Sequence, residues 1–352
     1  MVKLSIIIPL YNGASYIRNS IESIEDVNVG IKDALEIIVV DDGSTDDGAS
    51  VVKRLCELYS NIVLLHKENG GIASAREFGL NYATGDYITF CDQDDSVLAS
   101  YSDFIELACS SEADVLMCGH FLNFDGKLKP AGYVVEERVY RDTDCRVLSN
   151  MLFCPEVFTP ADADQRHLFQ VPVTIWNCIF STQFLRNNDI HFRSSVTYED
   201  DWVFVGTVLS YCSCLVVTPK AYYSWTINPQ SRSHTSVFIP NYFSKRSQHR
   251  ELMLTTAARS GGAKKELEAF AHILDAQTIV CGGRNAMLLP LRSYLKEIKA
   301  FSAFGSLWSY RDFKISKLSS LYLYLWSIRF NITVYLLNRF LVFIRDRRIG
   351  GK

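Results

Sequence analysis

Residues Tyr87–Val97 read YITFCDQDDSV. An apolar run, Tyr87 to Cys91, stops abruptly at three carboxylates, Asp92, Asp94 and Asp95. A short continuous apolar run reads as a strand buried on both faces, as in a parallel sheet. Acids crowded at the end of such a strand repel one another and call for a partner. A helix cap through Ser96 is one reading, but three acids exceed what a cap needs. A hard divalent cation is the other. Carboxylate oxygens suit Mg²⁺ or Mn²⁺, which also bind diphosphate oxygens.

Similar runs recur at Leu4–Ile8, Leu35–Val40, Ile62–Leu65 and Val115–Cys118. Between them lie stretches with helical spacing. One carries Ile17, Ile21 and Ile24; another carries Val51, Leu55 and Leu58. Alternating strand and helix predicts an α/β fold with right-handed crossovers. Ligands then sit at the carboxyl ends of the strands. The residues following the first four runs are therefore the candidates: Pro9-Leu10-Tyr11-Asn12-Gly13, then Asp41-Asp42-Gly43-Ser44-Thr45-Asp46, then HKENGGIASAR from His66 to Arg76, then DQDD. Each also has an ordinary reading. Ser44 or Thr45 can cap a helix whose dipole favours Asp46 and Asp47. NGG can be a loop before a helix that starts near Ile72.

The composition bounds the rest. A chain of 352 residues, 48% hydrophobic and 21% charged, has room for one large domain or two ordinary ones around a true core. A net charge of −3 gives no global affinity for nucleic acid. The ten cysteines form no CxxC pair and read as reduced thiols, which points to the cytoplasm. The opening MVKLSIIIPLYNG has too short an apolar part, and no small-residue cleavage site, for a signal peptide.

A second acidic stretch is SSVTYEDDWVFVGTVL, residues 194–209. Trp202, Val205 and Leu209 follow helical spacing, which puts Glu199, Asp200 and Asp201 in a first turn. Acids there are favoured by the helix dipole alone. A catalytic carboxylate is the competing reading.

Taken together, SIIIPLYNGASYIRNSIESI, EIIVVDDGSTDDG, ENGGIASAREFGLNYATGDYITFCDQDD, IWNCIFSTQFLRNNDIHF and YEDDWVF resemble the family 2 glycosyltransferases, from Leu4 to about Thr235. The resemblance implies a GT-A fold, a mainly parallel mixed sheet flanked by helices. It also implies inverting transfer of a sugar from a nucleotide-diphosphate donor, most often a UDP-sugar, with Mn²⁺ or Mg²⁺. By the same resemblance Pro9, Tyr11, Asn12, Asp41, Asp42, Asn69, Gly70 and Arg76 lie near the nucleotide. Asp92 and Asp94 match the DxD motif, with Asp94 the direct metal ligand and Asp92 and Asp95 supporting it or holding ribose. Asp200 matches the general base, with Glu199 beside it. Trp176 can be ordinary core, and by the resemblance it matches the acceptor side; His234 can be a surface histidine, and by the resemblance it matches a residue that some members place on metal or diphosphate. Two positions depart from the pattern: Gln93 stands where Ser is usual, and Glu77 where Asn is usual.

The expected division is a catalytic domain over 1–235 and a helical region over 236–352. The tail, 313–352, holds eight bases against one acid, a net of +7, beside many aromatic residues. It has no unbroken apolar span of about 20 residues, so a transmembrane helix is not expected. Two readings stand: a peripheral anchor on the inner face of the cell membrane, useful for a lipid-linked acceptor, or a helix packed on protein. The rival functions are a non-catalytic nucleotide-sugar-binding protein and a metal-dependent phosphoryl-transfer enzyme. The latter would place a nucleophilic Asp after the first strand, where Pro9-Leu10-Tyr11 stands.

Overall fold

The computed structural model describes residues 3–28, 34–131, 136–158, 174–193, 200–227 and 241–286, with 290 and 292–293. All five apolar runs are strands: β1 (Leu4–Leu10), β2 (Leu35–Asp41), β3 (Ile62–His66), β4 (Tyr87–Phe90) and, after the two-residue β5 (Ser96–Val97), β6 (Val115–Phe124). The later strands are β7 (Lys127–Pro130), β8 (Arg138–Arg141), β9 (Cys178–Ser181) and β10 (Cys214–Thr226). The helices between them are α1 (Ile17–Asn28), α2 (Gly48–Cys56), α3 (Ile72–Tyr82), α4 (Tyr101–Ser111), α5 (Thr143–Phe153), α6 (Pro155–Phe158), α7 (Thr182–Asn187) and α8 (Asp200–Tyr211).

The strands form one sheet in the order β3-β2-β1-β4-β9-β6-β10-β5, with β7 on β6 and β8 on β10. β1 runs parallel to β2 and β4, and β2 to β3. β9 lies antiparallel between β4 and β6, so the sheet is mixed. Both faces are covered. Ile6, Ile8 and Leu10 of β1 join Ile37 and Val39 of β2 in one core, while Ile7, Ile38 and Val40 enter the other. That alternation is the two-residue period of a pleated strand, and it explains why the runs are continuously apolar.

The helices follow from the same periodicities. Ile17, Ile21 and Ile24 of α1 are buried, as their spacing predicts. In α2 the inward residues are Val52 and Leu55; the helix stops at Cys56, so Leu58 falls outside it and is 71% exposed. α8 buries Val203, Phe204, Val205, Val208 and Leu209, which makes it an internal helix rather than an amphipathic one. Trp202 is half-buried and donates its indole Nε1–H to the Leu152 carbonyl at 2.7 Å.

The chain packs as two compact units: Met1–Pro229 with Thr256–Gly262, and Gln230–Thr255 with Ala263–Lys352. Of the described helices, α9 (Tyr242–Arg259) up to Thr255 and α10 (Lys264–Ala286) fall in the second. Arg250 reaches Asp275 there through two hydrogen bonds of 2.7 and 3.1 Å. Among the described residues no helix is long and apolar enough to cross a membrane. The basic tail lies outside them.

In the first unit β1 stands between β2 and β4. The chain leaves β1 on one side and returns on the other, so the sheet's switch point lies at the carboxyl ends of β1 and β4. Open α/β sheets bind ligands there.

Candidate active site

The loops at this edge are sewn together by their own acids and amides. Asn12, at φ 50°, donates its amide to Ser44 Oγ at 3.1 Å, and its Oδ1 accepts from the Thr45 amide at 2.8 Å. Buried Asp42 accepts from Lys67 Nζ at 2.6 Å and from the Gly70 and Gly71 amides at 2.9 and 2.7 Å. It thereby shapes the loop that carries the exposed Asn69 and Gly70. Asp41, also buried, accepts from the Ser44 amide at 3.0 Å and meets His66 Nδ1 at 2.7 Å. Burial raises the Asp41 carboxyl, but the hydrogen bonds from Ser44 and His66 outweigh it and hold the group below its ordinary range. Gly43, at φ 72°, sits where a Cβ would come within 3.0 Å of the Asn69 nitrogen, so the β2 and β3 loops pack closely at a residue that must be glycine.

After β4, the three carboxylates diverge. Asp95 is buried, and both its oxygens are taken: Oδ2 accepts from Tyr223 Oη–H at 2.8 Å and Oδ1 from the Thr226 amide at 2.7 Å. Burial, then the neighbouring charge of Asp92, push its carboxyl well above the ordinary value. The same Tyr223 hydroxyl accepts from the Asp92 amide at 3.1 Å. Asp92 Oδ1 accepts from Arg76 Nη2 at 2.9 Å. Asp94 is half-buried. Gln93 turns back to β1: its Oε1 accepts from the Tyr11 amide at 2.9 Å and its Nε2 donates to the Tyr11 carbonyl at 3.2 Å. Gly13 lies beneath it, where a Cβ would stand 2.4 Å from Gln93 Oε1.

Arg76 joins this turn to α8. Its side chain is 2% exposed, and Nη1 donates to Asp200 Oδ2 at 2.5 Å and also to Asp201 Oδ1. The carboxylates outweigh the burial that would otherwise weaken the guanidinium's hold on its proton. Burial pushes the Asp201 carboxyl up to about 7; Asp200 and Asp92 add to the rise, and Arg76 opposes it. A quarter of that side chain still meets solvent, which tempers the effect (25% exposed). One buried cation thus serves three carboxylates from two distant segments.

Residues 5–155 match the family model for glycosyl transferase family 2. A stretch of 117 residues is 40% identical to the uncharacterized glycosyltransferase YibD of Escherichia coli strain K12, covering 33% of this chain and 33% of that protein. Another, of 94 residues, is 43% identical to the minor teichoic acid biosynthesis protein GgaB of Bacillus subtilis strain 168, covering 26% of this chain and 10% of that one. The matched stretches span about a third or less of the length of these relatives. The crystal structure of S. aureus TarS 1–349 in complex with UDP shares the fold, with a TM-score of 0.60, 19% identity, and coverage of 99% of this chain and 92% of that chain. Over residues 5–155 the chain is thus similar to glycosyl transferase family 2.

The expected residues fall as follows. Pro9 is buried inside β1 opposite Val40, while Tyr11 is 44% exposed at the strand's end. Arg76, expected near the nucleotide, is turned to Asp92, Asp200 and Asp201. Trp176, expected to offer a ring face to the acceptor, is core: it is 3% exposed, stacked on Tyr223 at 4.4 Å and met edge-on by His120 at 4.7 Å. Glu199 and His234 lie outside the described residues. Tyr223, which orders the acidic turn, carries no motif and was missed. The only hint was a hydroxyl-bearing aromatic in an apolar strand.

A divalent ion can be tested against these donors. Among the described residues no group of three or more His, Cys, Asp or Glu side chains is placed to hold one. Asp95 has both oxygens engaged, and Asp92 has given one to Arg76. Asp94, half-buried in the same turn, and Asp92 are the carboxylates to weigh. Such hard donors fit Mg²⁺ or Mn²⁺ bound through one or two carboxylates, with diphosphate and water completing the shell. They do not fit an all-protein cage.

Proposed function

We propose that this chain is a metal-dependent inverting glycosyltransferase. It moves a sugar from a UDP-sugar to a saccharide or lipid-linked acceptor during synthesis of a cell-surface polysaccharide. The ion-paired cluster at the switch point supports this most directly, because Arg76 links the acidic turn after β4 to Asp200 on α8. The donor class draws support from TarS, solved with UDP and with UDP-GlcNAc. The polysaccharide draws support from GgaB, a minor teichoic acid biosynthesis protein.

In this reading Asp41, Asp42, Asn69 and Gly70 border the nucleotide with Pro9, Tyr11 and Asn12. Asp94, with Asp92, holds the metal, which when bound neutralises charge on the departing diphosphate. Asp200, flanked by Glu199, takes the proton from the acceptor hydroxyl. That oxygen attacks the anomeric carbon from the face opposite UDP, the bond to the diphosphate breaks with its electron pair, and the configuration inverts. Arg76 orients Asp200 for this task, and closing the site to water strengthens each of these contacts. The basic tail would bring the enzyme to the inner face of the cell membrane, where a lipid-linked acceptor lies.

The test is UDP release from a panel of UDP-sugars, with and without Mn²⁺, for the native chain and Asp200→Asn. A capping role predicts little loss, since Asn caps well. A general base predicts a fall of at least about a hundredfold with UDP binding retained. A near-normal rate would overturn the assignment.

A further inference from the structure

Glu77 follows Arg76 on α3 and is one of the two positions that depart from the pattern of the family the chain resembles. Its Oε2 accepts from the Phe192 amide at 2.8 Å. Its Oε1 accepts from Asn81 Nδ2 at 3.1 Å and meets His191 Nδ1 at 2.9 Å. On the far side of the same ring, His191 Nε2 meets Asp189 Oδ1 at 2.9 Å. Burial weakens the imidazole's hold on its proton, but Glu77 and Asp189 outweigh it, so the contact to Glu77 is charge-assisted to a higher pH than a free histidine allows.

What Glu77 fixes is Phe192. That ring is buried, stacks on Phe204 of α8 at 4.0 Å with planes 2° apart, and meets the edge of Phe90 at the end of β4 at 5.3 Å. Phe204 lies four residues beyond Asp200 and therefore on the same face of α8. α3 thus grips α8 at two levels. Arg76 holds the carboxylates of its first turn, and Glu77, through Phe192, holds its second.

We propose that Glu77 is a positioning residue for the transfer reaction: it pins the Phe192 backbone, and the Phe192 ring sets α8 so that Asp200 stands in register with the acidic turn after β4. This rests on the reading of Asp200 as the general base. Glu77 touches no reacting atom, so its removal should lower turnover and leave donor binding alone. A displacement near 1 Å of a catalytic group costs on the order of a hundredfold.

The experiment compares Glu77→Ala, Glu77→Gln, Phe192→Leu and Asp200→Asn, and the Glu77→Ala/Asp200→Asn double variant, in the full chain. The readouts are kcat and KM for Mn²⁺-dependent UDP release, UDP affinity by calorimetry, and Tm. Glu77→Ala should lower kcat by about 10–100-fold with KM for the donor within about threefold. Glu77→Gln keeps an oxygen for the Phe192 amide and should restore most of the loss. In the Asp200→Asn background Glu77→Ala should cost nothing further. Should Glu77→Ala not fold, Phe192→Leu carries the test, because it keeps the backbone bond and loses the ring stack. Unchanged kcat in folded Glu77→Ala, independent and additive losses, or a fall in Tm without a fall in kcat would each overturn the proposal while leaving the base intact. Full activity of Asp200→Asn would instead remove the base assignment, and the positioning role with it.

Discussion

Replacing Arg76 by methionine keeps most of the side-chain volume and removes the charge. Three carboxylates then face one another at the sheet edge with no cation between them. Removing one partner of a buried ion pair costs about 3–5 kcal/mol, because the other charge is left desolvated. Here Asp200 is nearly buried, while Asp92 and Asp201 keep 28% and 25% of their side chains in contact with solvent and can relax toward it. The loss should therefore fall within that range rather than triple it, against a domain stability of about 5–15 kcal/mol. In a domain of this size it corresponds to a fall in Tm of roughly 6–20 °C. The cost must also depend on pH. Without the guanidinium nothing opposes the rise of the Asp201 carboxyl, which then holds its proton more tightly in the folded chain than in the unfolded one, so stability is lost as pH rises through its raised value. Urea unfolding in EDTA should show a larger penalty near pH 8 than near pH 5. Arg76→Lys, which restores a point charge without the planar fork, should recover part of it. A penalty below about 1 kcal/mol at the higher pH, or one equal at both, would refute the view of Arg76 as the buried counter-charge.

Burial pushes the Asp201 carboxyl from its ordinary 3.8 up to about 7, so the folded state holds a proton there that the unfolded state has released, and stability falls as pH rises across that window. Asp201→Asn should flatten the slope of stability against pH in EDTA; an unchanged slope would show that the rise belongs to another group. Asp94→Ala should abolish the Mn²⁺-dependent part of UDP binding, and undiminished affinity in calorimetry would dismiss Asp94 as a ligand. The full chain should sediment with anionic vesicles and be loosened only partly by salt, since the basic residues are screened and the aromatic ones are not. A truncation ending near Asp312 should still bind UDP; its collapse, with no vesicle binding by the full chain, would favour a packed helix over an anchor.

The five strands and the edge they build were legible because both signals are local. An apolar run buried on two faces needs no knowledge of its partners, and a turn rich in Asp, Asn and Gly announces its own end. Partnerships across the chain were not legible. Tyr223 meets Asp95 from 128 residues away, and Arg76 meets Asp200 from 124 away. No spacing rule reaches that far. The same limit left Trp176 open between core and acceptor platform and misled the reading of Leu58. A tryptophan in a strand-like segment is core or platform according to what stacks on it, and here Tyr223 does. Leu58 continues a helical period, but its backbone no longer continues the helix.

The acidic turn after β4 holds its charges by dividing them. Asp95 is given to Tyr223 and Thr226, and Asp92 to Arg76, which also serves Asp200 and Asp201. One guanidinium against three carboxylates leaves an excess of negative charge in that cluster. Stability does not ask for this. Replacing a buried ionic cluster by apolar residues of like volume is often neutral or stabilising. Acids held by hydrogen bonds at the carboxyl end of β4, as Asp92 and Asp95 are, suit the proposed role of receiving positive charge from outside the chain. In the proposed reading a divalent ion would meet that need at the turn. At α8 the same excess favours a carboxylate taking up a proton. The two halves of the proposed reaction therefore draw on one electrostatic arrangement, with Arg76 as the element common to both.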